Sequence, residues 1–315
     1  MTTVWLTDAP EAATPFAGGT PDWLPCPKVA TDILAVLASA FNPNRSTWVA
    51  RESGEDRVII LMDTAERSQF DVMLELSRSP VQLPERLVCL ALTGSGFRGQ
   101  RSRPWSALRG NLHLTARYAV DCPAVSAQAA ITMLPAIASA EAIASVSAGS
   151  IDPRIKWVND VFVADKKVSG VLSATQVSGD RLESAIFGIG MNVGMKPDIQ
   201  PTPFVPEAGC LAEVDTSLSD ALPQIFREVV HTLDAGVDAL KHRSTDLWFA
   251  RYRARAGFLG ERVSIWPEGT EDTSVAPLHR GRVRELNPDL SLILEGHSMP
   301  VRSGRLAYDR FLDRE

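Results

Sequence analysis

Apolar positions alternate with turn residues most regularly between residues 156 and 193. β-branched and other apolar residues dominate three short segments, and turns rich in Gly, Asp and Ser separate them. This pattern predicts three strands joined by tight turns, around which the rest of the chain is organised. The predicted strands are residues 157–163, 168–172 and 184–193, with turns at residues 164–166 and 178–180.

Asn159 and Asp160 interrupt the first of these apolar segments. An amide and a carboxylate are costly to bury unless both find hydrogen-bond partners. On these two residues alone, a satisfied structural pair and a ligand-binding pair are equally open interpretations.

The remaining segments predict a mixed α/β region followed by a small β region. Residues 1–25, rich in Pro, Gly, Thr and Ala, predict an extended arm along the surface. We interpret the Ala-rich helix that starts at Ala124 as core. The predicted strands are residues 57–62, 86–93 and 111–120, the helices are residues 28–41, 63–76, 124–148, 222–240 and 246–257, and the later β segments are residues 263–266, 280–286, 290–295 and 298–301.

Size and composition are those of a globular protein. A chain of 315 residues can hold one large domain and one small domain. It is 45% hydrophobic and 22% charged, with a formal net charge of -6. This negative charge argues against a general nucleic-acid-binding protein.

Targeting and redox signals favour a cytoplasmic protein. The first fourteen residues lack a basic start and an apolar core, so we expect no secretory signal. No uninterrupted apolar run approaches the roughly 20 residues of a membrane span. The four cysteines are far apart and form no Cys-x-x-Cys pair, so we interpret them as reduced thiols and expect no metal site.

Three motifs with fixed spacing resemble the biotin–protein ligase family. That family has Lys-Trp-Pro-Asn-Asp, then a lysine seven residues after the Asp in a Lys-apolar-small-Gly-apolar-Leu setting, and then Gly-x-Gly-apolar-Asn. Val158 stands at the Pro position of the first motif. The matching segments are Lys156-Trp157-Val158-Asn159-Asp160, Lys167-Val168-Ser169-Gly170-Val171-Leu172 and Gly188-Ile189-Gly190-Met191-Asn192. Lipoate ligases share part of this pattern, and the Lys-Trp pair and the last motif favour the biotin branch.

The resemblance implies a fold and a domain organisation. It implies an α/β fold of the class II synthetase-like (biotin/lipoate ligase) kind, a mixed sheet with flanking helices, followed by a small SH3-like β-barrel. The implied domains are residues 56–258 for catalysis and residues 259–315 for the barrel. Some family members begin with a winged-helix repressor domain. Residues 1–55 are too short and not basic enough for one, so we expect an arm and a helix there.

The resemblance also implies an activity. Family members use ATP to convert biotin into biotinyl-5'-AMP and transfer the biotinyl group to a lysine of a carrier domain. The implied cofactors are ATP and Mg²⁺, with biotin as substrate. The implied partner is the biotin carboxyl carrier domain of a biotin-dependent carboxylase, and a homodimer is compatible with the family. No nucleic acid or membrane partner is expected.

The site residues follow by position from the family motifs. Lys167 would contact both the carboxylate and the α-phosphate, and its neighbour Lys166 is interpreted as an exposed hairpin lysine. The expected residues are Lys167 and Arg98 for catalysis, Thr64, Gly94, Ser95, Gly96, Gly170, Gly188 and Gly190 for biotin, and Trp105, Asn159, Asp160 and Asn192 for the nucleotide, with no protein-bound metal.

Two segments depart from the family pattern. In the Gly-Arg-rich ligand loop, Ser95, Phe97 and Gln100 stand where the family usually has arginine, and Arg98 is kept in register. Asp63-Thr64 is reminiscent of the family's Asp-Ser-Thr-Asn site, but it is also a good helix N-cap pair, and we favour the cap. These departures leave two alternatives: the same chemistry on lipoate, octanoate or another acid, or a non-catalytic protein that binds the ligand.

Overall fold

The computed structural model describes residues 1–26, 32–242 and 245–312. Within these ranges the strands, β1 to β14, are Thr2–Thr7, Leu24–Pro25, Trp48–Ser53, Arg57–Met62, Arg86–Ala91, Leu112–Pro123, Arg154–Lys156, Asp160–Val163, Lys166–Ser178, Arg181–Met191, Arg262–Trp266, His279–Leu286, Leu292–Leu294 and Arg305–Tyr308. The helices, α1 to α8, are Pro10–Ala13, Ile33–Phe41, Gln69–Arg78, Ala124–Val146, Leu211–Val214, Leu222–Lys241, Asp246–Arg255 and Asp309–Leu312.

Strands β1 to β10 form one mixed sheet in the order β2-β3-β1-β4-β5-β6-β10-β9-β8-β7. Strand β4 runs parallel to both β1 and β5, and the other neighbouring pairs are antiparallel. β4 and β5 are nearly continuous apolar runs because helices cover both of their faces. A mixed sheet with flanking helices is the predicted architecture.

The first 55 residues contribute strands to this sheet, which differs from the predicted arm. β1 lies between β3 and β4, and Trp5 and Leu6 are buried. The Trp5 indole N–H donates to Glu52 Oε1 on β3 at 2.8 Å. The predicted helix at residues 28–41 is present as α2, where the Asp32 carboxylate caps the N-terminus, and residues 28–31 lie outside the described residues.

Helices cover both faces of the sheet. α4, α6 and α7 pack together on one face, and α2 and α3 lie on the other. Alternate residues of β4 serve the two layers: Ile59 and Leu61 point toward α4 and α6, whereas Val58 and Ile60 point toward α2 and α3. On α6, the predicted inward stripe is confirmed, since Ile225, Val229, Leu233 and Val237 are all buried.

Helix α4 is the central element of one helical layer. By length and composition alone it is apolar enough to cross a membrane. Gln128, Thr132 and Glu141 interrupt its apolar residues, so the expectation of no uninterrupted apolar run of that length stands. However, 67% of its apolar window is buried within the fold, where it packs on α6, α7, β9 and β10. Burial on several sides requires apolar residues around the whole helix, which explains its composition.

A buried ion network ties α6 to the sheet. Asp234 of α6 pairs with Arg57 of β4 at 2.7 Å, and the two side chains are 12% and 9% exposed. Arg86 of β5 lies 3.8 Å from Asp234 and 3.0 Å from Asp238, whose side chain is 46% exposed. Burial raises the pKa of Asp234, although both arginines act in the opposite direction.

Strands β11 to β14 form a separate antiparallel sheet in the order β13-β12-β11-β14. Its last strand is Arg305–Tyr308, and residues 298–301, predicted as a strand, contribute only an isolated bridge between Val301 and Leu292. The Trp157 indole N–H donates to the Leu290 carbonyl at 2.7 Å and joins this sheet to the main one. The proposed domain division at residue 258 stays a prediction.

Two predicted element boundaries are wrong: the start of the helix at residue 63 and the start of the strand at residue 157. Helix α3 begins at Gln69, so Asp63 and Thr64 do not cap it. Instead, the Asp63 carboxylate pairs with Arg109 at 2.8 Å. Residues 157–159 form a turn, and the first predicted strand of the central stretch begins only at Asp160.

The buried ion network predicts a position-specific loss of stability. Asp234→Ala leaves Arg57 without its buried partner and should lower the free energy of unfolding by about 3 kcal/mol. Asp238→Ala removes an exposed partner on the same helix and should cost less than about 1 kcal/mol. Urea denaturation measures both values, and equal losses would contradict the assigned weight of the Asp234 pair.

Candidate active site

Four strands bring motif residues into one row across the sheet, on the face that α3 covers. The register pairs Asp160 of β8 with Gly170 of β9, Gly170 with Gly190 of β10, and Gly190 with His113 of β6. Directly paired residues project to the same face of a sheet. A cavity of about 230 Å³ lies over this row. The motifs are therefore distant in sequence but adjacent in space.

The glycines of the row leave room for aromatic rings. A Cβ atom at Gly190 would lie 2.4 Å from Cε2 and Cζ2 of Trp105, and one at Gly170 would lie 3.4 Å from Cζ3 of the same ring. At Gly188 a Cβ atom would lie 2.9 Å from Cδ2 of Phe70. Glycine in the interior of a strand commonly marks such a close approach. The cavity floor is therefore backbone, and its walls are aromatic.

His113 fixes the orientation of Trp105. The Trp105 indole N–H donates to His113 Nδ1 at 3.3 Å, and His113 Nε2 lies 3.0 Å from the Leu108 carbonyl. These contacts require the proton on Nε2, which donates to the carbonyl. Burial lowers the pKa of His113 from 6.5 to about 4, against the effect of the Leu108 carbonyl. The imidazole is therefore neutral at pH 7, and the contact with Trp105 is kept.

A β-bulge turns Lys167 toward the cavity. Val161 pairs with Ser169 and Phe162 pairs with Lys167, so Val168 is an extra residue in β9. Ser169 faces α4, where its hydroxyl lies 3.3 Å from that of Ser139. The bulge sends the Lys167 side chain to the opposite face, and its Nζ lies 3.3 Å from where a Cβ atom of Gly170 would be.

Lys167 and Asp160 form the central ion pair of the cavity. Lys167 Nζ lies 2.6 Å from Asp160 Oδ1, and the two side chains are 17% and 19% exposed. Burial alone would raise the pKa of Asp160, but Lys167 and Lys156 together lower it below its ordinary value. The neighbouring Lys166 pairs with Glu207 at 2.9 Å and does not line the cavity. The two adjacent lysines thus have different surroundings.

Two asparagines, Asn159 and Asn192, also line the cavity. The Asn159 amide donates to the Val171 carbonyl at 2.9 Å and lies 3.4 Å from Gln100 Oε1. The Asn192 amide donates to the Gly209 carbonyl at 2.9 Å. Among the described residues, the buried Oδ1 of Asn192 has no hydrogen-bond donor. It is therefore a buried acceptor without a donor among these residues, on a residue that lines the cavity.

The ligand loop folds back on itself above the cavity. The Trp105 backbone N–H donates to the Phe97 carbonyl at 3.0 Å, and the Gly99 N–H donates to the Arg103 carbonyl at 2.7 Å. Arg98 and Arg103 line the cavity. Arg101, at the loop tip, pairs with Glu268 of the C-terminal region.

Nine of the predicted site residues line the cavity, and four do not. The nine are Lys167, Arg98, Gly170, Gly188, Gly190, Trp105, Asn159, Asp160 and Asn192. Thr64, Gly94, Ser95 and Gly96 lie outside its lining. The Thr64 hydroxyl donates to Asp63 Oδ2 at 3.1 Å, and the Ser95 hydroxyl donates to the Glu66 carbonyl at 3.2 Å. Contacts of these four residues with biotin stay a prediction.

Gly94 has a packing role that the sequence analysis did not assign. A Cβ atom there would lie 2.4 Å from Cε2 of Phe97 and 2.7 Å from the Ala65 carbonyl. Phe97 is buried and packs edge-on against His113, with ring centroids 5.7 Å apart. A phenylalanine therefore occupies a position of the loop that was expected to carry a ligand-binding arginine.

Sequence patterns did not identify several residues that line the cavity. They come from the start of α3, from β6, from residues 197–208 and from β14, and they include Gln69, Phe70, His113, Val205 and Arg305. His113 interrupts an apolar strand and was visible as a lone polar residue between Leu112 and Leu114. No sequence pattern identified Arg305, because only the tertiary fold brings the second sheet to the cavity.

The described fold is that of biotin protein ligases. The structure is similar to that of the biotin protein ligase from Aquifex aeolicus in complex with biotin and ATP, with a TM-score of 0.60 and 20% sequence identity. The match covers 79% of this chain and 97% of that one.

Residues 66–192 match the model of the biotin/lipoate A/B protein ligase family. The chain is 34% identical over 139 residues to the bifunctional ligase/repressor BirA of Bacillus subtilis, but that alignment covers 44% of this chain and only 40% of the relative. A biotin–[acetyl-CoA-carboxylase] ligase of Mycobacterium tuberculosis is 24% identical over 71% of this chain and 79% of its own length.

The glycine floor predicts that a single methyl group at Gly190 disrupts the cavity. Gly190→Ala places Cβ against the Trp105 ring and should lower the free energy of unfolding by about 1–3 kcal/mol. The matched control is Gly19→Ala, which meets no atom within 4 Å and should change stability little. Urea denaturation of both variants is the test. An unchanged Gly190→Ala midpoint would mean that Trp105 does not lie on the floor.

The neutral state of His113 predicts a stability loss in acid. Because the folded pKa is about 4 and the ordinary value is 6.5, the unfolded chain binds more protons between these pH values. Stability should therefore fall by roughly 3 kcal/mol through this residue as pH drops from about 6.5 to below 4. His113→Gln should flatten this dependence in urea titrations, and His231→Gln, at an exposed site on α6, should not. Parallel profiles for all three proteins would rule out the assignment.

Proposed function

We propose that this protein is an ATP-dependent ligase that converts biotin into biotinyl-5'-AMP and transfers the biotinyl group to a lysine of a carrier domain. The observation that carries the proposal is the Lys167–Asp160 pair, held at 2.6 Å beside a floor of glycines. This arrangement places a cation and a carboxylate together in the lining of one cavity of about 230 Å³.

Adenylation gives the carboxylic acid a better leaving group, AMP. A free carboxylate acylates an amine poorly because its oxygen leaves poorly. In the first step a carboxylate oxygen of biotin attacks the α-phosphorus of ATP, a C–O–P linkage forms, and the bond to the β-phosphate breaks. Negative charge grows on the α-phosphate in this step, and preorganised cations lower the barrier. Lys167 and Arg98 are the residues assigned to this role.

The nucleotide would occupy the part of the cavity near Trp105, Asn159 and Asp160. The Trp105 ring, oriented by His113, supplies a flat face for the adenine. Asn192 supplies the unsatisfied buried acceptor, which suits a ribose hydroxyl better than a phosphate because a phosphate oxygen has no proton to donate.

The acid would lie along the glycine floor. Gly170, Gly188 and Gly190 line the cavity and let the Trp105 and Phe70 rings approach the sheet, so the acid would lie beside these rings. The carboxylate end would then point toward Lys167.

Mg²⁺ would be held mainly by the phosphates. Within the described parts of the chain, no cluster of three His, Cys, Asp or Glu side chains could hold a metal ion. Asp160 and Asn159 fit a role in ordering a phosphate-bound Mg²⁺, which ordinarily keeps few protein ligands. The ion would supply neutralisation of the phosphate charge.

In the second step, the amine of a carrier lysine attacks the mixed anhydride. An amide bond forms, AMP leaves with the anhydride oxygen, and the amine loses a proton. No protein nucleophile is required. The carrier would be the biotin carboxyl carrier domain of a biotin-dependent carboxylase, in line with the name of the Mycobacterium tuberculosis relative. We further propose a cytoplasmic location, no nucleic-acid partner and a homodimeric state compatible with the family.

A different acid is the second candidate. Four of the positions expected to bind biotin, Thr64 and Gly94 to Gly96, are outside the cavity lining, whereas Phe70 and Phe97 line it. An apolar wall suits an aliphatic or dithiolane chain such as octanoate or lipoate. The two candidates share Lys167 and its chemistry and differ only in the acid.

The adjacent lysines give a matched test of the proposal. Lys167→Ala should reduce adenylate formation by at least about 100-fold, because the cation at the α-phosphate is lost. Lys166→Ala removes the same side chain one residue away, from a surface pair with Glu207, and should keep activity within about twofold. The measurement is biotin- and ATP-dependent labelling of a carrier domain. Near-normal labelling by Lys167→Ala would refute the assigned catalytic lysine.

A further inference from the structure

The C-terminal sheet has one face in the core and one outer face. Val263 of β11 belongs to the core cluster, so Arg262 and Ser264 on either side of it lie on the outer face. The register pairs Arg262 with Arg282 of β12 and Ser264 with Arg280. Because directly paired residues share a face, both of these β12 arginines lie on the outer face as well.

Four arginines form a basic patch on this outer face: Arg262, Arg280, Arg282 and Arg284. The side chain of Arg262 is 62% exposed, and the other three, at alternate positions of β12, are exposed as well. Within the parts of the chain that the structure describes, the only carboxylate within 4.0 Å of these guanidinium groups is that of Asp309, 4.0 Å from Arg262. The basic patch thus stands out in a chain with a net charge of -6.

Neutral acceptors orient two of these guanidinium groups. Arg280 Nε donates to the Ser264 hydroxyl at 2.8 Å, and Arg282 donates to the Gly260 carbonyl. The Ser264 hydroxyl in turn donates to the Asp309 carboxylate at 2.7 Å, so this nearby carboxylate is already engaged. A guanidinium has five N–H donors. The basic patch therefore presents oriented donors with the geometry that carboxylates accept in pairs.

The register also places two like charges directly opposite each other. Arg262 and Arg282 form a cross-strand pair, in which the Cβ atoms are about 5 Å apart. Like charges at this spacing destabilise a sheet, whereas opposite charges stabilise it. An anionic partner bound over the pair would remove the repulsion. The pair is therefore unfavourable for folding alone and favourable for binding an acidic surface.

The basic patch is continuous with the edge of the cavity. On the same face, β11 pairs Trp266 with Arg305 of β14, and Arg305 lines the cavity. Arg280 pairs with Ser264, two residues before Trp266, so it lies one step of about 7 Å along the sheet from that row, and Arg282 lies two steps away. A protein that docks on the basic patch is therefore brought to the edge of the cavity.

An acidic protein surface fits the basic patch better than a nucleic acid does. The net charge of -6 repels a long polyanion from the molecule as a whole. Two exposed carboxylates also lie beside the patch, because Glu285 follows Arg284 and the Glu295 backbone N–H donates to the Arg282 carbonyl. A small basic patch with an acidic border matches a few carboxylates of a docked domain.

We propose that the basic patch docks an acidic surface of the carrier domain close to its target lysine. This inference rests on the proposed function, in which a carrier lysine attacks the adenylate in the cavity. Charges at the edge of an interface mainly raise the association rate and fix the orientation of the partner. The basic patch thus holds the carrier with its lysine toward the cavity for the second step.

Charge reversal at Arg282 gives the test. Arg282→Glu replaces the repulsive pair with Arg262 by an attractive one, so the urea midpoint should not fall. The probe is the unmodified biotin carboxyl carrier domain of the acetyl-CoA carboxylase from the same organism, titrated calorimetrically without ATP or biotin. Its binding should weaken about tenfold or more in Arg282→Glu. The difference should shrink at high ionic strength, because salt screens exposed charges.

Arg51→Glu is the matched control. Arg51 is exposed on β3, at the opposite end of the main sheet from the strands that contact the C-terminal sheet. Replacing one positive charge by one negative charge takes the net charge from -6 to -8 in either variant. Arg51→Glu should bind the carrier within about twofold of the native protein, since distant exposed charges are screened.

The outcomes separate this proposal from the proposed function. Equal carrier affinity of the native and Arg282→Glu proteins would overturn the docking surface, as would equal weakening by Arg51→Glu or failure of the native protein to bind the carrier. Weaker binding together with a lower urea midpoint in Arg282→Glu would make Arg282 structural and would also overturn it. The predicted binding pattern without ATP–pyrophosphate exchange would keep the docking surface and refute the ligase function. Exchange together with native-like carrier binding by Arg282→Glu would do the reverse.

Discussion

The register of four strands is the constraint on which the rest of the site depends. β8, β9, β10 and β6 align Asp160, Gly170, Gly190 and His113 on one face. A shift of one residue in any of these pairings would send its site residues to the face covered by α4. The β-bulge at Val168 adds the second requirement, because it lets Lys167 and Gly170 share a face although they are three residues apart.

The small C-terminal sheet is connected to this row. Trp157 donates to the Leu290 carbonyl, and Phe204 packs between Arg305 and Trp266. The motif that begins with Lys156 thus belongs to the main sheet and also contacts the second sheet through Trp157. The C-terminal sheet, which supplies Arg305 to the cavity lining, contributes to the site itself as well as to stability.

Local patterns predicted much of this architecture. Apolar runs such as residues 57–62 identified buried strands correctly, and helical spacing identified α6 within one residue. Motif spacing placed Lys167, Asn159, Asp160 and the three glycines in one cavity. These features depend on short-range periodicity or on the family pattern, so the sequence alone carries them.

The errors arose where long-range contacts decide. Thr2–Thr7 is a short strand whose position between β3 and β4 depends on partners about 50 residues away, and the following Pro- and Gly-rich segment hid it. Asp63 was expected to cap a helix, but its pair with Arg109 holds it elsewhere. Arg305 reaches the site only because two sheets meet, which no local pattern reports.

We propose that the Lys167–Asp160 row activates a carboxylic acid as its adenylate. The decisive measurement is ATP–pyrophosphate exchange with biotin, lipoate and octanoate supplied separately. Exchange should depend on biotin. Exchange with lipoate or octanoate alone would keep the chemistry and contradict the assigned substrate, and no exchange with any of the three would contradict the claim itself.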